Sequence, residues 1–247
     1  MKKIAVIDGD SICYICSRDT IEESISNAKD LMNNIMVRTG STHYYLFLSD
    51  GKYFRHKVNS EYKANRPTSS LKFLKTLKAF LKEEYGGIAY EGLESDDLSA
   101  HVMNNSRIES TTDYNVSYLN CSPDKDVIKQ VWGNWYNYRS NQSGTTTKEE
   151  ANKFLMIQAL MGDSTDNIKG LPGIGEKKAE KLLEGGNCSL GGVLKAYAEQ
   201  YNYTPNSVFE FQKNFRQVYL LREDIDFLSE VGYVPVLDEP RTFIVKE

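Results

Sequence analysis

Carboxylates recur in this sequence just after short apolar stretches that have the composition of buried β-strands. These acids are Asp8, Asp50, Glu94, Asp96, Asp97, Asp124 and Asp126. In an open α/β sheet the carboxyl ends of the strands form the edge where ligands bind, so we expect these side chains to converge. Asp163 and Asp166 lie in a more helical part of the sequence and are expected to join them.

Carboxylates that are crowded without counter-charge would have raised pKa values and would destabilise the fold. Divalent cations remove that conflict, and ligand sets made only of oxygen favour Mg²⁺ or Mn²⁺ over zinc. Two such ions about 3.5–4 Å apart can activate a water molecule and stabilise the leaving oxygen of a phosphodiester. The pattern therefore predicts a site for Mg²⁺ or Mn²⁺ at this edge of the sheet.

A basic segment runs from Lys52 to Lys82. It contains nine Lys or Arg residues and one acid, Glu61, and so carries +8. The whole chain carries −4, which leaves −12 on the remainder. Such a separation is expected where one part of a protein binds phosphate groups and another collects cations. The alternative is a solvated helix face, because the later lysines of the segment recur at helical spacing.

A glycine-rich turn, Gly170–Gly175, comes before a predicted helix from Lys177 to Leu183. Gly175 can bring backbone N–H groups close to a phosphate group, where the helix dipole also favours negative charge. Glu176 stands where a Walker A loop needs lysine, and no strand precedes the turn, so a nucleotide site is disfavoured. A plain turn between two helices is the alternative.

Other reactive residue types offer little for catalysis. Cys13 and Cys16 form an isolated C-x-x-C pair, which is typical of buried thiols on a helix. None of the three histidines lies in a recognisable motif. The sequence contains no apolar run of roughly 18 residues, and its first residues turn polar too early for a signal peptide. We expect a cytoplasmic protein.

The elements that would position these residues alternate in type through the first part of the chain. Strands are predicted at Lys3–Ile7, Tyr44–Leu48, Ile88–Tyr90, Asn115–Asn120 and Trp135–Tyr138, and helices over Thr20–Val37 and from Ser95. This alternation predicts an α/β fold with a mostly parallel sheet and helices on both faces. From Lys148 onward helices dominate, over Glu149–Met161, Leu190–Gln200 and Val208–Leu221. We predict a core domain over 1–147 and a helical region over 148–247 that packs on it.

Several short motifs, in their order and spacing, resemble the 5′-nuclease family of flap endonucleases, phage 5′-3′ exonucleases and the 5′-nuclease domain of bacterial DNA polymerase I. The similar segments are 6–9 (VIDG), 49–55 (SDGKYFR), 61–67 (EYKANRP), 92–97 (GLESDD), 122–126 (SPDKD) and 161–175 (MGDSTDNIKGLPGIG). The resemblance covers most of residues 3–185, and no familiar motif follows Leu190. It implies a PIN-like core, a helical arch within about 52–82 and a helical-hairpin DNA-binding motif in the C-terminal region.

The resemblance also implies a role for each matching residue. The acids near a first metal ion are Asp8, Asp50, Glu94, Asp96, Asp97 and Asp124, and those near a second are Asp126, Asp163 and Asp166. Lys63 and Arg66 match the basic residues at the foot of the arch that contact the scissile phosphate, so the implied catalytic residues are Lys63, Arg66, Asp8 and Asp124. The implied DNA-binding residues are Arg55, Tyr62, Lys63, Arg66, Gly173, Gly175, Lys177 and Lys178, with Tyr62 stacking on a base and a K⁺ ion often held at the hairpin.

The function implied is that of a monomeric, structure-specific 5′-nuclease, both 5′-3′ exonuclease and flap endonuclease. Its substrates would be DNA with 5′ ends, flaps or nicks, with RNA:DNA as a further candidate, in replication or repair in a bacterial or phage-infected cell. Two alternatives stay open. A PIN-like ribonuclease would share the strand-end carboxylates, but the hairpin and the basic segment argue against it. A non-catalytic DNA-junction binder would have no use for the complete acidic set.

Overall fold

The computed structural model describes residues 2–66, 72–112 and 116–244, and only the backbone for 105–112 and 224–225. These residues form two compact units. Unit 1 is drawn from Met1–Tyr53, Ser70–Thr147 and Leu220–Glu247, and unit 2 from Phe54–Ser69 and Lys148–Tyr219. The predicted strand start at Asn115 and part of the predicted arch, 67–71, lie outside the described residues. The predicted domain boundary after residue 147 stays a prediction.

Helices and strands alternate through the first part of the described chain, and helices dominate the rest. In chain order they are β1 (Lys2–Asp8), α1 (Gly9–Cys16), α2 (Ile21–Thr39), β2 (His43–Phe47), α3 (Phe54–Val58), α4 (Leu74–Tyr85), α5 (Ser95–Thr112), β3 (Val116–Cys121), α6 (Lys125–Gln130), β4 (Gly133–Asn137), β5 (Gln142–Thr146), α7 (Lys148–Met161), α8 (Glu176–Leu182), α9 (Leu190–Gln200), α10 (Pro205–Val218), α11 (Asp224–Glu230) and β6 (Arg241–Thr242). Among these described elements, no helix combines the length and the hydrophobicity needed to cross a membrane.

Unit 1 is built on a six-stranded sheet in the order β5-β4-β3-β1-β2-β6. The four central strands, β4, β3, β1 and β2, pair in parallel. The two outer strands pair antiparallel with their neighbours. The prediction of an α/β fold with a mostly parallel sheet is therefore confirmed.

Strand β1 is buried on both faces because its side chains alternate between two layers of helices. Ala5 and Ile7 join the core that α1, α2 and α4 cover, while Ile4 and Val6 are also buried and, by alternation, face the other layer. Helix α5 packs against β1, β2 and β3. A strand buried on both faces reads as a continuous apolar run, which is why β1 was predictable.

Helix α4 forms the last part of the basic segment and is amphipathic. Leu77, Leu81 and Tyr85 are buried in the same core as α1 and α2. Its lysines therefore project from the remaining sides of a helix that is packed against α1 and α2. The part of the predicted arch that α4 forms therefore belongs to the core of unit 1.

One predicted strand does not form, and the outer strands β5 and β6 were not predicted. Ile88–Tyr90 is not a strand, since Ile88 makes only an isolated bridge to Phe47 directly after the left-handed turn at Gly86, where φ is 62°. Conversely, the polar stretch that forms β5 has no apolar periodicity and was not predicted. It pairs with β4, and Gly144 lies opposite Trp135, where an added Cβ would come within 2.6 Å of the indole ring.

Unit 2 consists of helices α3 and α7–α10. Helix α10 packs against α3, α7 and α9. Tyr197, fully buried on α9, donates a hydrogen bond from its hydroxyl to Ala159 O at 2.8 Å and accepts one from Asn214 Nδ2 at 3.0 Å. These bonds satisfy polar groups that would be costly to bury unpaired and fix α9 between α7 and α10.

Candidate active site

Asp8 lies where β1 ends and α1 begins, and it is the N-cap of α1. Its Oδ1 accepts hydrogen bonds from Asp10 N at 3.1 Å and Ser11 N at 3.3 Å, which satisfies two of the donors that a helix start leaves open. The next residue must be glycine, because a Cβ on Gly9 would come within 2.8 Å of Phe47 O. The junction therefore fixes Asp8 at the carboxyl end of the sheet.

Three serine hydroxyls also surround the Asp8 carboxylate. Ser95 Oγ donates to Oδ1 at 3.1 Å, Ser122 Oγ donates to Oδ2 at 3.4 Å, and Ser11 Oγ makes a short bond to Oδ2. Ser95 begins α5 and Ser122 follows β3, so the ends of three elements meet at one acid. The serines carried no signal in the sequence, because their role depends on tertiary position.

The pKa of Asp8 is raised to about 6. Burial is the largest cause, the charge of Asp10 is the next, and Asp124 adds to it, while hydrogen bonds from Ser11 act in the opposite direction. Burial and two neighbouring carboxylates therefore make the ionised form of Asp8 unfavourable in the metal-free chain. We call Asp8, Asp10 and Asp124 the strand-end cluster.

Asp10 was not among the predicted site residues. Its Oδ1 forms an ion pair with Lys78 Nζ at 2.8 Å and accepts a hydrogen bond from Ser49 N at 3.2 Å. Lys78 also donates to Ser49 O at 2.9 Å, so α4 is tied to the strand-end cluster. The sequence features that could have indicated Asp10 as a site residue are its position in the first turn after Asp8 and the presence of a lysine in the basic segment.

Asp124 and Asp126 follow β3. Asp124 is the N-cap of α6, and its Oδ1 accepts from Asp126 N at 2.7 Å. Its own N–H donates to Ser122 Oγ at 3.1 Å, and Ser122 reaches Asp8. The structure thus brings the ends of β1 and β3 together through these residues, as the strand-end pattern predicts.

The predicted acids after the second strand and at the start of α5 differ in their surroundings. Asp50 is exposed, Glu94 and Asp97 are buried, and Asp96 is intermediate. Asp97 Oδ2 accepts from Glu94 N at 3.2 Å and Oδ1 from Leu221 N at 3.2 Å. Because backbone N–H groups bind both oxygens, Asp97 anchors the start of α5. Its role as a metal ligand stays a prediction, because each carboxylate oxygen can accept a second contact.

The donor set of the strand-end cluster is suited to a hard divalent cation, because it consists of carboxylate and hydroxyl oxygens. A cation would also relieve the crowding that raises the pKa of Asp8. Across the described residues, no group of three or more His, Cys, Asp or Glu side chains is already arranged to hold a metal ion. The fit thus rests on the chemistry of the donors and on the excess of three carboxylates over the one described cation that pairs with them, Lys78.

A second group of predicted site residues meets within unit 2. Asp166 forms ion pairs with Arg66 and, at 3.7 Å, with Lys63 Nζ, and it accepts a hydrogen bond from Tyr62 OH at 3.2 Å. We call Tyr62, Lys63, Arg66 and Asp166 the arch-base cluster. Asp163 lies in the same loop as Asp166 and accepts from Thr165 N at 2.8 Å.

Two predicted DNA-binding residues are buried instead. Arg55 is 1% exposed, and its guanidinium donates to Gln217 O at 2.9 Å and Tyr219 O at 2.8 Å. Tyr62 is 3% exposed and packs edge-on against His56 at a centroid distance of 5.5 Å. We correct both assignments: Arg55 ties α3 to the end of α10, and Tyr62 has no open ring face on which a base could stack.

The predicted hairpin lies between α7 and α8. Gly170 and Gly173 adopt left-handed φ values of 61° and 73°, and a Cβ on Gly170 would come within 2.3 Å of Met161 C. At Gly173 and Gly175 nothing lies within 4 Å of an added Cβ, so their surroundings are open. Lys178 Nζ donates to Gly173 O at 2.9 Å, which closes the turn.

Comparison with known proteins finds similarity to nucleases over part of the chain. Residues 150–226 match the family model described as "5'-3' exonuclease, C-terminal SAM fold". The 5'-3' exonuclease of Mycoplasmopsis pulmonis (strain UAB CTIP) is 29% identical over 154 residues, which are 57% of this chain and 50% of that protein. The 5'-3' exonuclease of Buchnera aphidicola subsp. Schizaphis graminum (strain Sg) is 31% identical over 151 residues, 56% of this chain and 51% of that protein. The chain is similar to 5′-3′ exonucleases. It spans about half the length of these curated relatives.

Solved nucleases share the fold. The flap endonuclease D15 of bacteriophage T5 superimposes with a TM-score of 0.74 at 16% identity, over 94% of each chain. The catalytic core of Rad2 gives a TM-score of 0.53 at 12% identity, over 95% of this chain and 79% of that one. At these identities the likeness concerns the fold alone, and it agrees with the mixed α/β architecture.

The region that matches the exonuclease model, residues 150–226, lies mostly in unit 2. It contains Asp163, Asp166 and the glycine turn at 170–175. The strand-end cluster lies outside that region, in unit 1. The match to this family model and the crowded carboxylates are therefore separate observations.

Proposed function

We propose that the chain is a structure-specific 5′-nuclease, both 5′-3′ exonuclease and flap endonuclease, that hydrolyses DNA phosphodiesters near 5′ ends, flaps or nicks. The observation that carries this proposal is the strand-end cluster, in which the buried Asp8 is crowded by Asp10 and Asp124. Crowded carboxylates are expected where a cation binds, because the cation compensates their charge. The similarity to 5′-3′ exonucleases supplies the reaction.

Divalent metal ions, two Mg²⁺ with Mn²⁺ as a substitute, are part of the proposal. When bound, they would supply an activated water and stabilise charge on the leaving oxygen. The proposed ligands are Asp8, Asp50, Glu94, Asp96, Asp97, Asp124, Asp126, Asp163 and Asp166. T5 D15, which shares this fold, has been crystallised with DNA and metal ions. We also propose that a K⁺ ion binds at the hairpin.

The chain's own residues would bind and orient the substrate. Lys63 and Arg66 would hold the scissile phosphate, because their charges exceed that of Asp166 by one in the arch-base cluster. The open surroundings of Gly173 and Gly175, with Lys177 and Lys178 beside them, suit contact with duplex phosphates. No side chain needs to form a covalent intermediate.

The test is a cleavage assay on a 5′-labelled flap, a nicked duplex, a single strand and a flap with an RNA arm, each in Mg²⁺ and in EDTA. We expect cleavage of the DNA flap in Mg²⁺ or Mn²⁺, no cleavage in EDTA, and survival of activity under zinc-selective chelation. Asp8→Asn should abolish cleavage of the DNA flap. Asp30→Asn, which makes the same charge change on the exposed side of α2, should not.

The other possible outcomes would indicate a different function or mechanism. Cleavage of RNA alone would favour a PIN-like ribonuclease. Tight binding of flaps without cleavage in any divalent metal would favour a junction-binding protein. Cleavage that persists unchanged in excess EDTA would falsify the metal-dependent mechanism.

A further inference from the structure

The segment 61–66 is docked on the loop 163–167 within unit 2. Lys63 N donates to Asp166 O at 2.9 Å, Asn65 Nδ2 to Ser164 O at 2.7 Å, and Asn167 Nδ2 to Glu61 O at 2.7 Å. All three bonds end on backbone carbonyls, so they hold the two backbones together whatever the Asp166 carboxylate does.

Lys63 is held in an uncommon backbone conformation at this junction. Its φ is 57°, in the left-handed region that residues with a side chain rarely adopt. Such strain persists only where surrounding contacts determine it, and it is common at functional sites. The bond from Lys63 N to Asp166 O is one such contact, and it brings the lysine side chain beside the same aspartate.

The Asp166 carboxylate is occupied by the residues that the proposed function assigns to the phosphate. Arg66 binds Oδ1, and Lys63 Nζ lies 3.7 Å from Oδ2. The Asp166 side chain is only 17% exposed, so solvent screens these pairs less than at an open surface. Carboxylate and phosphate oxygens both accept charge-assisted hydrogen bonds from guanidinium and ammonium groups.

Asp163, three residues earlier, provides the contrast. Within the described part of the chain no Lys or Arg pairs with it, and its carboxylate accepts a hydrogen bond from Thr165 N. The two aspartates carry the same charge in the same loop, yet only Asp166 meets the cations. A comparison of the two aspartates therefore distinguishes the specific contact of Asp166 with Lys63 and Arg66 from a general repulsion of DNA.

We infer that Asp166 is a positioning residue that occupies the phosphate-binding groups of Lys63 and Arg66 in the absence of DNA and yields them when a phosphate group arrives. This inference rests on the proposed function, since it takes DNA phosphate as the ligand of both cations. The carboxylate keeps the two side chains gathered at one place. Phosphate binding is then an exchange of one anion for another, and Asp166 lowers the affinity of the resting chain for nucleic acid.

The test uses the full chain in EDTA and a fluorescent 5′-flap duplex, with affinity measured by anisotropy. Asp163→Asn and Asp166→Asn each remove one negative charge, so general repulsion predicts equal tightening. We expect Asp166→Asn to bind about fivefold more tightly than Asp163→Asn, a factor within the range of a partly exposed ion pair. In a Lys63→Gln/Arg66→Gln background this excess should disappear, because the side chains that it releases are absent.

Hydrogen exchange of the segment 61–66 provides a second readout. The docking bonds end on backbone carbonyls, so we expect Asp166→Asn to leave exchange at the Lys63 amide unchanged. A large rise would show that the carboxylate docks the segment itself and would overturn the inference.

Equal affinities for the two aspartate variants, weaker binding by Asp166→Asn, or an excess that survives loss of both cations would also overturn the inference, while the proposed function would stand. If the unaltered chain bound no flap, nick or single strand even at low salt, the proposed function itself would fail.

Discussion

At the scale of single residues, Asp8 combines two demands that conflict in the metal-free chain. It caps α1 as an ionised acceptor, yet burial and neighbouring acids raise its pKa to about 6. The folded chain therefore holds a proton on Asp8 more tightly than the unfolded chain, where the ordinary value is 3.8. Its ionisation destabilises the fold as pH rises between these two values, and this effect is complete above about pH 6.

We predict that Asp8→Asn stabilises the metal-free chain at neutral pH and that the gain disappears as pH falls through 6 toward 4. The gain is at most about 3 kcal/mol, at 1.36 kcal/mol per pKa unit. Urea unfolding in EDTA across this pH range measures it, with Asp30→Asn on the exposed side of α2 as the charge-matched control. A gain that did not change with pH would show that Asp8 is not the titrating group.

Arg55 leads to a second prediction at this scale, because its guanidinium serves the backbone of α10 and the residue after it. Arg55→Met removes donors to two carbonyls in the interior of unit 2 and should lower the free energy of unfolding by about 2–4 kcal/mol. Arg38→Met, at an exposed position on α2, should change it by less than about 0.5 kcal/mol. Unchanged stability together with weaker DNA binding would restore Arg55 as a DNA contact.

At the scale of elements, the glycine turn before α8 contains residues with different requirements. Gly170 has a left-handed φ and no room for a Cβ, whereas Gly175 has a φ of −105° and open surroundings. We predict that Gly170→Ala destabilises the chain by more than about 3 kcal/mol, since strain and overpacking add. Gly175→Ala should leave the unfolding midpoint nearly unchanged. Thermal unfolding of the two variants compares them directly.

The same turn predicts how duplex length matters for binding. If the backbone at Gly175 approaches duplex phosphates, Gly175→Val should weaken binding to a flap with a long duplex arm more than to one with a short arm. The fold has space for the new side chain, so a loss confined to the long arm would come from the interface with DNA. Equal losses on both arms would mean that the glycine only permits the local turn.

The elements also show what the sequence could predict. β1 was predictable because a strand that is buried on both faces reads as a continuous apolar run. β5 was not, because QSGTT has no apolar face and becomes a strand only by pairing with β4. The roles of Arg55 and Tyr62 were misassigned for a related reason. Their partners are supplied by segments more than 100 residues away, so a short motif cannot distinguish a buried anchor from an exposed contact.

At the scale of the whole molecule, charge is unevenly distributed, with a net charge of −4 and a segment of +8 between Lys52 and Lys82. We predict that DNA affinity in EDTA falls steeply with salt, since each phosphate contact adds about 0.9 to the slope of log K against log salt. Lys177→Gln with Lys178→Gln should reduce that slope by up to about 1.8. An anisotropy titration across a salt series measures it, and an unchanged slope would exclude these lysines from the interface.

The strand-end acids illustrate the same limit on prediction at this scale. Their placement after strands was readable, because parallel strands carry their carboxyl ends to one edge. The partners of Asp8 were not readable, because Ser95 and Ser122 are common residues with no spacing that marks them. Asp10 was within reach, since it lies in the first turn of α1.

Trp135, which packs across Gly144, also gives unit 1 a fluorescence signal that unit 2 lacks. The chain has two tryptophans, Trp132 and Trp135, and both belong to unit 1. Indole emission therefore reports the sheet and its β4–β5 edge, whereas unit 2 contributes only tyrosine emission. Selective excitation of the indoles can follow unit 1 without a label, and a tryptophan introduced on α9 or α10 would give unit 2 a separate signal.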